Sequence, residues 1–290
     1  MAKVLNSREI CNILEQENIE RLNNLPNKLS MASVAIGDNY STKVYRASQK
    51  KVADKLGIKY VPINLKETVS FDDFKVEVEK LNNDKKISGI IFNKPFPKGW
   101  KDEDVFAQID EFKDIEGMHP VNLGKFFMGK DDIVSPTVLS IIKLLDISLE
   151  KDANKYKGKR ITIVGFSSLI GKPLALLLGN KLATVSITHI GTFEKGDLPF
   201  FVKNADIVIS SVGQPYLIKG EWIKEGAIVI DVGTGEKNGK LTGDIEFETA
   251  KSKASFITPV PGGVGRLTTM FLYNNLIISS EIQTSLEQKH

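Results

Sequence analysis

The stretch at residues 160–173 constrains the fold of this chain most. Arg160-Ile161-Thr162-Ile163-Val164 reads as a short apolar strand, and Gly165-Phe166-Ser167-Ser168 as a tight turn. A helix follows, with Pro173 in its first turn, where proline is tolerated. The free N–H groups and positive dipole at such a helix start suit a phosphate or pyrophosphate. The spacing is G-x-S-x-x-x-G rather than G-x-G-x-x-G, so an ordinary strand–helix turn stays open as the alternative.

The same alternation runs along the whole chain and predicts α/β architecture. Strands are expected at 31–36, 59–65, 87–92, 160–164, 184–188, 207–211 and 227–232. Helices are expected at 7–24, at 39–56 closed by Gly57, at 70–81 from a Ser70/Asp73 capping box, and at 102–109. Others fall at 135–146, 170–182 and 270–285, with 113–122 irregular and 150–158 a polar connection. A length of 290 residues suggests about two domains. The net charge of +3 is spread along the chain with no basic block, which gives no indication of nucleic acid. Cys11 is the only cysteine, which fits a reducing compartment, and the cytoplasm is expected. No secretory core, membrane-spanning run or metal-ligand spacing of the three histidines is visible.

Further segments point to ligand loops. Thr258-Pro259-Val260-Pro261-Gly262-Gly263-Val264-Gly265 combines two prolines with three glycines, a shaped loop that backbone can bring close to a ligand. A tight interdomain turn accounts for it equally well. Ser210-Ser211-Val212-Gly213-Gln214-Pro215 and Asp231-Val232-Gly233-Thr234-Gly235 follow apolar strands, at the strand ends where parallel sheets bind ligands. Near His189, neither an acid nor an arginine stands where a dinucleotide's ribose is read, so spacing leaves NAD and NADP both open. In the N-terminal half Tyr45 and Gln49 project together from one helix face, with Lys50 about 100° further round. A solvated helix face is the plainer account of these residues. Glu116 is either a ligand acceptor or a surface acid.

Taken in order, these segments resemble the FolD family of methylenetetrahydrofolate dehydrogenase/cyclohydrolases. The closest motifs are Gly165 to Pro173, Ser211-Val212-Gly213, Trp222 to Ala227, Ile230-Asp231-Val232-Gly233, Gly243-Asp244 and Pro261 to Gly265. The resemblance implies a two-domain α/β fold. A catalytic, folate-binding domain would span 1–120 plus 269–290, and a Rossmann-type NAD(P)-binding domain 121–268. It implies a homodimer that oxidises 5,10-methylenetetrahydrofolate with NADP, NAD not excluded, and then hydrolyses the methenyl product, with no metal. Carried onto this sequence, it assigns catalysis to Tyr45, Gln49, Asn93 and Glu116. It assigns the tetrahydrofolate derivative to Thr42, Tyr45, Asn93, Glu116, Pro261, Gly262 and Gly263. It assigns the dinucleotide to Gly165, Phe166, Ser167, Gly171, Ile190, Gly213 and Thr234.

The chain departs from the family pattern where the chemistry is expected. Gln49 stands at the lysine of Tyr-x-x-x-Lys, and Asn93 and Lys94 stand at a Gln-Leu pair. Glu116 replaces an aspartate, Thr42 a serine, Arg266 a proline, and Ile190 an arginine or serine. A carboxamide has no usable proton-acceptor pKa, so hydrolysis is expected to be crippled while the dehydrogenase half survives. Lys94 entering the same loop offers a substitute charge. A silent folate- or nucleotide-binding paralogue is the alternative, as is another two-domain NAD(P) dehydrogenase acting on a small acid.

Overall fold

The computed structural model describes residues 2–130, 132–149, 154–237 and 239–288, apart from the side chain of Glu287. Residues 150–153 of the expected polar connection lie outside the described residues. The strands in chain order are β1 (Lys3–Val4), β2 (Ser30–Ile36), β3 (Lys59–Leu65), β4 (Gly89–Asn93), β5 (Arg160–Val164) and β6 (Thr184–Thr188). They continue as β7 (Ile207–Ser210), β8 (Ile228–Asp231), β9 (Gly235–Lys237), β10 (Lys240–Thr242) and β11 (Phe256–Ile257).

The chain divides into two compact units, one of residues 1–11 and 137–268, the other of residues 12–136 and 269–290. Residues 1–11 therefore join the unit expected to bind nucleotide, because β1 pairs in parallel with β11. Residues 121–136 join the other, where the Asn122 amide donates to Glu111 O and to the Asp114 carboxylate.

The second unit is built on a three-stranded parallel sheet in the order β3-β2-β4. Central β2 is buried along its whole length, as a strand covered on both faces must be. Pro62 sits on β3, an edge strand, where its missing N–H breaks no ladder. The helix Tyr40–Leu56 begins at Asn39, whose side chain accepts from Ser41 N and Thr42 N, and ends at Gly57 with φ +68°. The helix Phe71–Asn83 starts at Ser70, which caps Asp73 N, and buries Phe74 against Phe92 and Trp100.

The first unit holds a six-stranded sheet, β1-β11-β8-β7-β5-β6, with every neighbouring pair parallel. Its central strands β7 and β8 are wholly buried apolar runs that end in Ser210 and Asp231. Two buried acids organise the carboxyl ends of these strands. Asp231 accepts from the N–H groups of Gly233, Asp244 and Ile245. Asp244 accepts from Ser210 Oγ, Val212 N and Gln214 N. Burial, and then the neighbouring Asp244 charge, push Asp231 up to about 7.

Several elements differ from the sequence expectation. Pro120–Phe127 is a helix that begins inside the expected irregular segment 113–122, with Pro120 in its first turn and His119 Nδ1 accepting from Val121 N. Ile190–Glu194 and Leu198–Lys203 form two further short helices. The last helix, Val264–Glu287, starts inside the glycine loop, because Val264 and Leu267 are already buried.

Two outcomes follow from this packing. Phe74→Ala removes a fully buried ring and should cost about 3–5 kcal/mol, read as a lower denaturation midpoint. Asp231 has a folded pKa above its ordinary 3.8. Its contribution to stability is therefore complete below that value and lost as pH rises toward about 7. Urea denaturation should show stability falling by about 1.4 kcal/mol per pH unit more steeply in the native protein than in Asp231→Asn across that window. Equal slopes would contradict it.

Candidate functional site

In the first unit, β5 runs into Gly165, whose φ of +121° turns the chain sharply. A Cβ on Gly165 would lie 2.9 Å from Ser211 Oγ. A Cβ on Gly171 would lie 2.2 Å from Gly165 O, so the helix Gly171–Asn180 approaches the turn as only glycine permits. That helix has no side-chain cap at its start. Ser167 helps shape the turn, with Oγ accepting from Ile170 N and its carbonyl from Lys172 N.

Beside this turn lies a cavity of about 280 Å³, lined in part by Gly165, Phe166, Ser167, Ile190, Val212 and Gln214. Among the described residues, no lysine, arginine or acid lines it. The Ser211 hydroxyl is buried with no hydrogen-bond partner among the described residues. Gly213, at φ +77°, packs against the carbonyl of Thr234, which brings those two expected residues together. Ile190 is 67% exposed at the start of a short helix. His189 Nδ1 accepts from Gly191 N and caps that helix, a structural role. In the proline–glycine loop Gly262 has φ +109°, and its carbonyl accepts from both the hydroxyl and the amide of Ser7.

In the second unit, the helix Tyr40–Leu56 and the carboxyl-terminal half of the sheet bring Thr42, Tyr45, Gln49 and Asn93 together. Gln49 is fully buried. Its Oε1 accepts from Ser33 Oγ at 2.8 Å and from Tyr60 OH at 3.2 Å. Its Nε2 donates to Asn93 Oδ1 at 2.9 Å. Asn93, the last residue of β4, donates in turn to Ser33 Oγ and Val34 O. The network itself sets these amide orientations, since no alternative satisfies every atom. Tyr273 OH donates to the backbone carbonyl of Gln49 and pins that turn of the helix.

The positive charge near this cluster belongs to Arg46. Its guanidinium donates to Tyr60 OH, Asn64 Oδ1 and Ser33 O. Lys94 instead pairs with Asp102 and lies over the Phe96 ring. Its carbonyl accepts from Thr42 Oγ1 at 2.7 Å, fixing the 93–97 loop to the helix. Tyr45 is hydrogen-bonded to the Gln49 side chain, and burial followed by the Glu116 charge raises its hydroxyl above the ordinary range.

Glu116 is half-buried. Burial, and then Asp114, push its carboxyl up to about 8, with Lys94 acting against that shift. Asp114 shapes the loop that presents it. Fully buried, Asp114 accepts from the N–H groups of Glu116, Gly117 and His119 and from Asn122 Nδ2. Sequence reasoning gave no role to Arg46, Ser33, Tyr60, Asp114, Asp231 or Asp244. The available signals were a serine inside an apolar strand and single acids at the ends of buried segments.

Among the described residues, no cluster of histidine, cysteine and acids could hold a metal, and no helix is long and apolar enough to cross a membrane. Residues 5–116 match the catalytic domain of the tetrahydrofolate dehydrogenase/cyclohydrolase family, and residues 135–284 match its NAD(P)-binding domain. The chain is 43% identical to the bifunctional protein FolD of Listeria innocua over 88% of each chain. It is 36% identical to that of Staphylococcus haemolyticus over 99% of this chain and 100% of the relative. The FolD crystal structure from Campylobacter jejuni superposes with a TM-score of 0.90 at 32% identity, over 98% of this chain and 100% of that one. The Trypanosoma brucei enzyme, solved with NADP and an inhibitor, also gives 0.90 at 30% identity over 98% of both chains. With both halves matched in order by the family's two domains, the chain belongs to the tetrahydrofolate dehydrogenase/cyclohydrolase family, the FolD proteins.

Proposed function

We infer that this protein is a 5,10-methylenetetrahydrofolate dehydrogenase whose hydrolysis of the methenyl product is crippled. The observation that carries the second half is the state of Gln49, a buried neutral amide with its acceptor and donor both engaged. Attack of water on a C=N⁺ carbon requires a group that takes up the water's proton, and an amide has no pKa for that task. Oxidation of the methylene group makes no such demand on the protein. The folate nitrogen supplies the electrons, so positioning carries most of the rate.

NADP, when bound, supplies the hydride acceptor. Its fit rests on the glycine cradle at Gly165 and Gly171 and on the orphaned Ser211 hydroxyl facing the same turn. Gly165, Phe166, Ser167, Gly171, Ile190, Gly213 and Thr234 are the residues proposed to hold it. The NADP bound to the Trypanosoma brucei relative supports this choice over NAD.

Thr42, Tyr45, Asn93 and Glu116 are the residues of the second unit proposed to hold the tetrahydrofolate derivative. Glu116, held near 8, is largely protonated at neutral pH. Its carboxyl then both donates and accepts, which suits an edge carrying a ring nitrogen beside an amino group. Tyr45 keeps its proton across the working range and serves as a donor. A homodimer is proposed on the family resemblance, and a cytoplasmic location on the single cysteine, Cys11.

Hydrolysis of added methenyltetrahydrofolate, followed separately from methylene oxidation, tests this reading. Hydrolysis should run about 10²–10⁴-fold below that of a relative carrying Tyr-x-x-x-Lys, with oxidation still proceeding. Brisk hydrolysis would refute the reading.

A further inference from the structure

At the amino ends of β3, β2 and β4, opposite Asn93, the second unit carries a cleft of about 560 Å³. Four lysines from three separate chain segments converge on it: Lys28 before β2, Lys59 at the first residue of β3, and Lys85 and Lys86 before β4. All four are exposed, and among the described residues no aspartate or glutamate lines the cleft. None has an ion pair among the described residues, whereas Lys50, Lys55 and Lys80 of the same unit are each paired with an acid. Like charges gathered in a concave surface reinforce one another's field rather than dispersing it.

The floor of the cleft is rigid. Ser30 N donates to Ser88 Oγ, Ser88 N to Ser30 O, and the Ser30 hydroxyl to Lys86 O. Gln283 from the last helix donates to Ser88 O and closes one side. At Gly57 the mouth is open, with nothing within 4 Å of where a Cβ would stand. No aromatic ring lines the cleft, so it offers no stacking platform for a base. Ammonium groups brought to one cleft from three chain segments instead suit an anion that carries several phosphates, each of which lysine binds as a point charge.

We propose that this cleft is an anion site for a compact polyphosphate chain, separate from the folate and dinucleotide residues. Titration of the native protein with sodium tripolyphosphate, at roughly physiological salt and with excess NADP occupying the Gly165–Gly171 turn, should show one saturable site despite screening. The quadruple variant Lys28→Gln, Lys59→Gln, Lys85→Gln, Lys86→Gln should bind about tenfold or more weakly. A control quadruple of exposed lysines, Lys157, Lys159, Lys181 and Lys203 to Gln, should keep the native affinity. Methylene oxidation should be unchanged in both variants. Independently of any variant, the amide resonances of Ser30, Gly57 and Ser88 in the native protein should shift and saturate together. Absence of saturable binding, equal weakening in the control, or shifts confined to the Gly165–Gly171 turn would overturn the proposal.

Discussion

The hydrogen-bonded ring of Gln49, Asn93, Ser33 and Tyr60 is the constraint on which the catalytic half depends. It ties one helix to all three strands of its sheet, through one residue on each. Every polar atom in the ring has a partner, and leaving one unsatisfied would cost about 1–3 kcal/mol. The ring fixes where Tyr45 stands, because Tyr45 bonds to the same amide. It also fixes what the site lacks. The guanidinium of Arg46 is directed at Tyr60, Asn64 and Ser33, and a guanidinium offers donors and no acceptor.

Buried carboxylates play the corresponding part elsewhere. Asp114, Asp231 and Asp244 each accept several N–H groups from the loop that follows a strand or turn. A loop held this way keeps its backbone fixed without a large apolar core of its own. Asp114 presents Glu116, while Asp231 and Asp244 hold the strand ends beside Gly213 and Gly233. The glycines supply the conformations, and the acids hold the chain in them.

The strands and long helices were legible because each buries a continuous or periodic apolar face. Helix 39–56 was bounded correctly at both ends by Asn39 and Gly57, whose cap chemistry is local. The short strands β1, β9, β10 and β11 escaped notice because two or three residues carry no period, and they exist only through pairing, β1 and β11 with one another and with β8, and β9 with β10. The helix Pro120–Phe127 was missed despite a proline at its start, since no residue of the usual capping type precedes it. At the candidate site the sequence located Gln49 and Asn93 but not their mutual bond, nor Ser33 and Tyr60. Those partners lie 16 and 11 residues from Gln49, on different strands. Lys94, offered by its place in the chain as a substitute charge, pairs with Asp102 and also acts on the Glu116 carboxyl.

A single-turnover experiment addresses the central claim most directly. Enzyme in excess is mixed with 5,10-methylenetetrahydrofolate and NADP, and the reduced nucleotide and the methenyl and formyl folates are followed together. A neutral amide at position 49 predicts that methenyltetrahydrofolate accumulates in step with the reduced nucleotide and decays only at its spontaneous rate. Formyl product appearing as fast as the reduced nucleotide would contradict it.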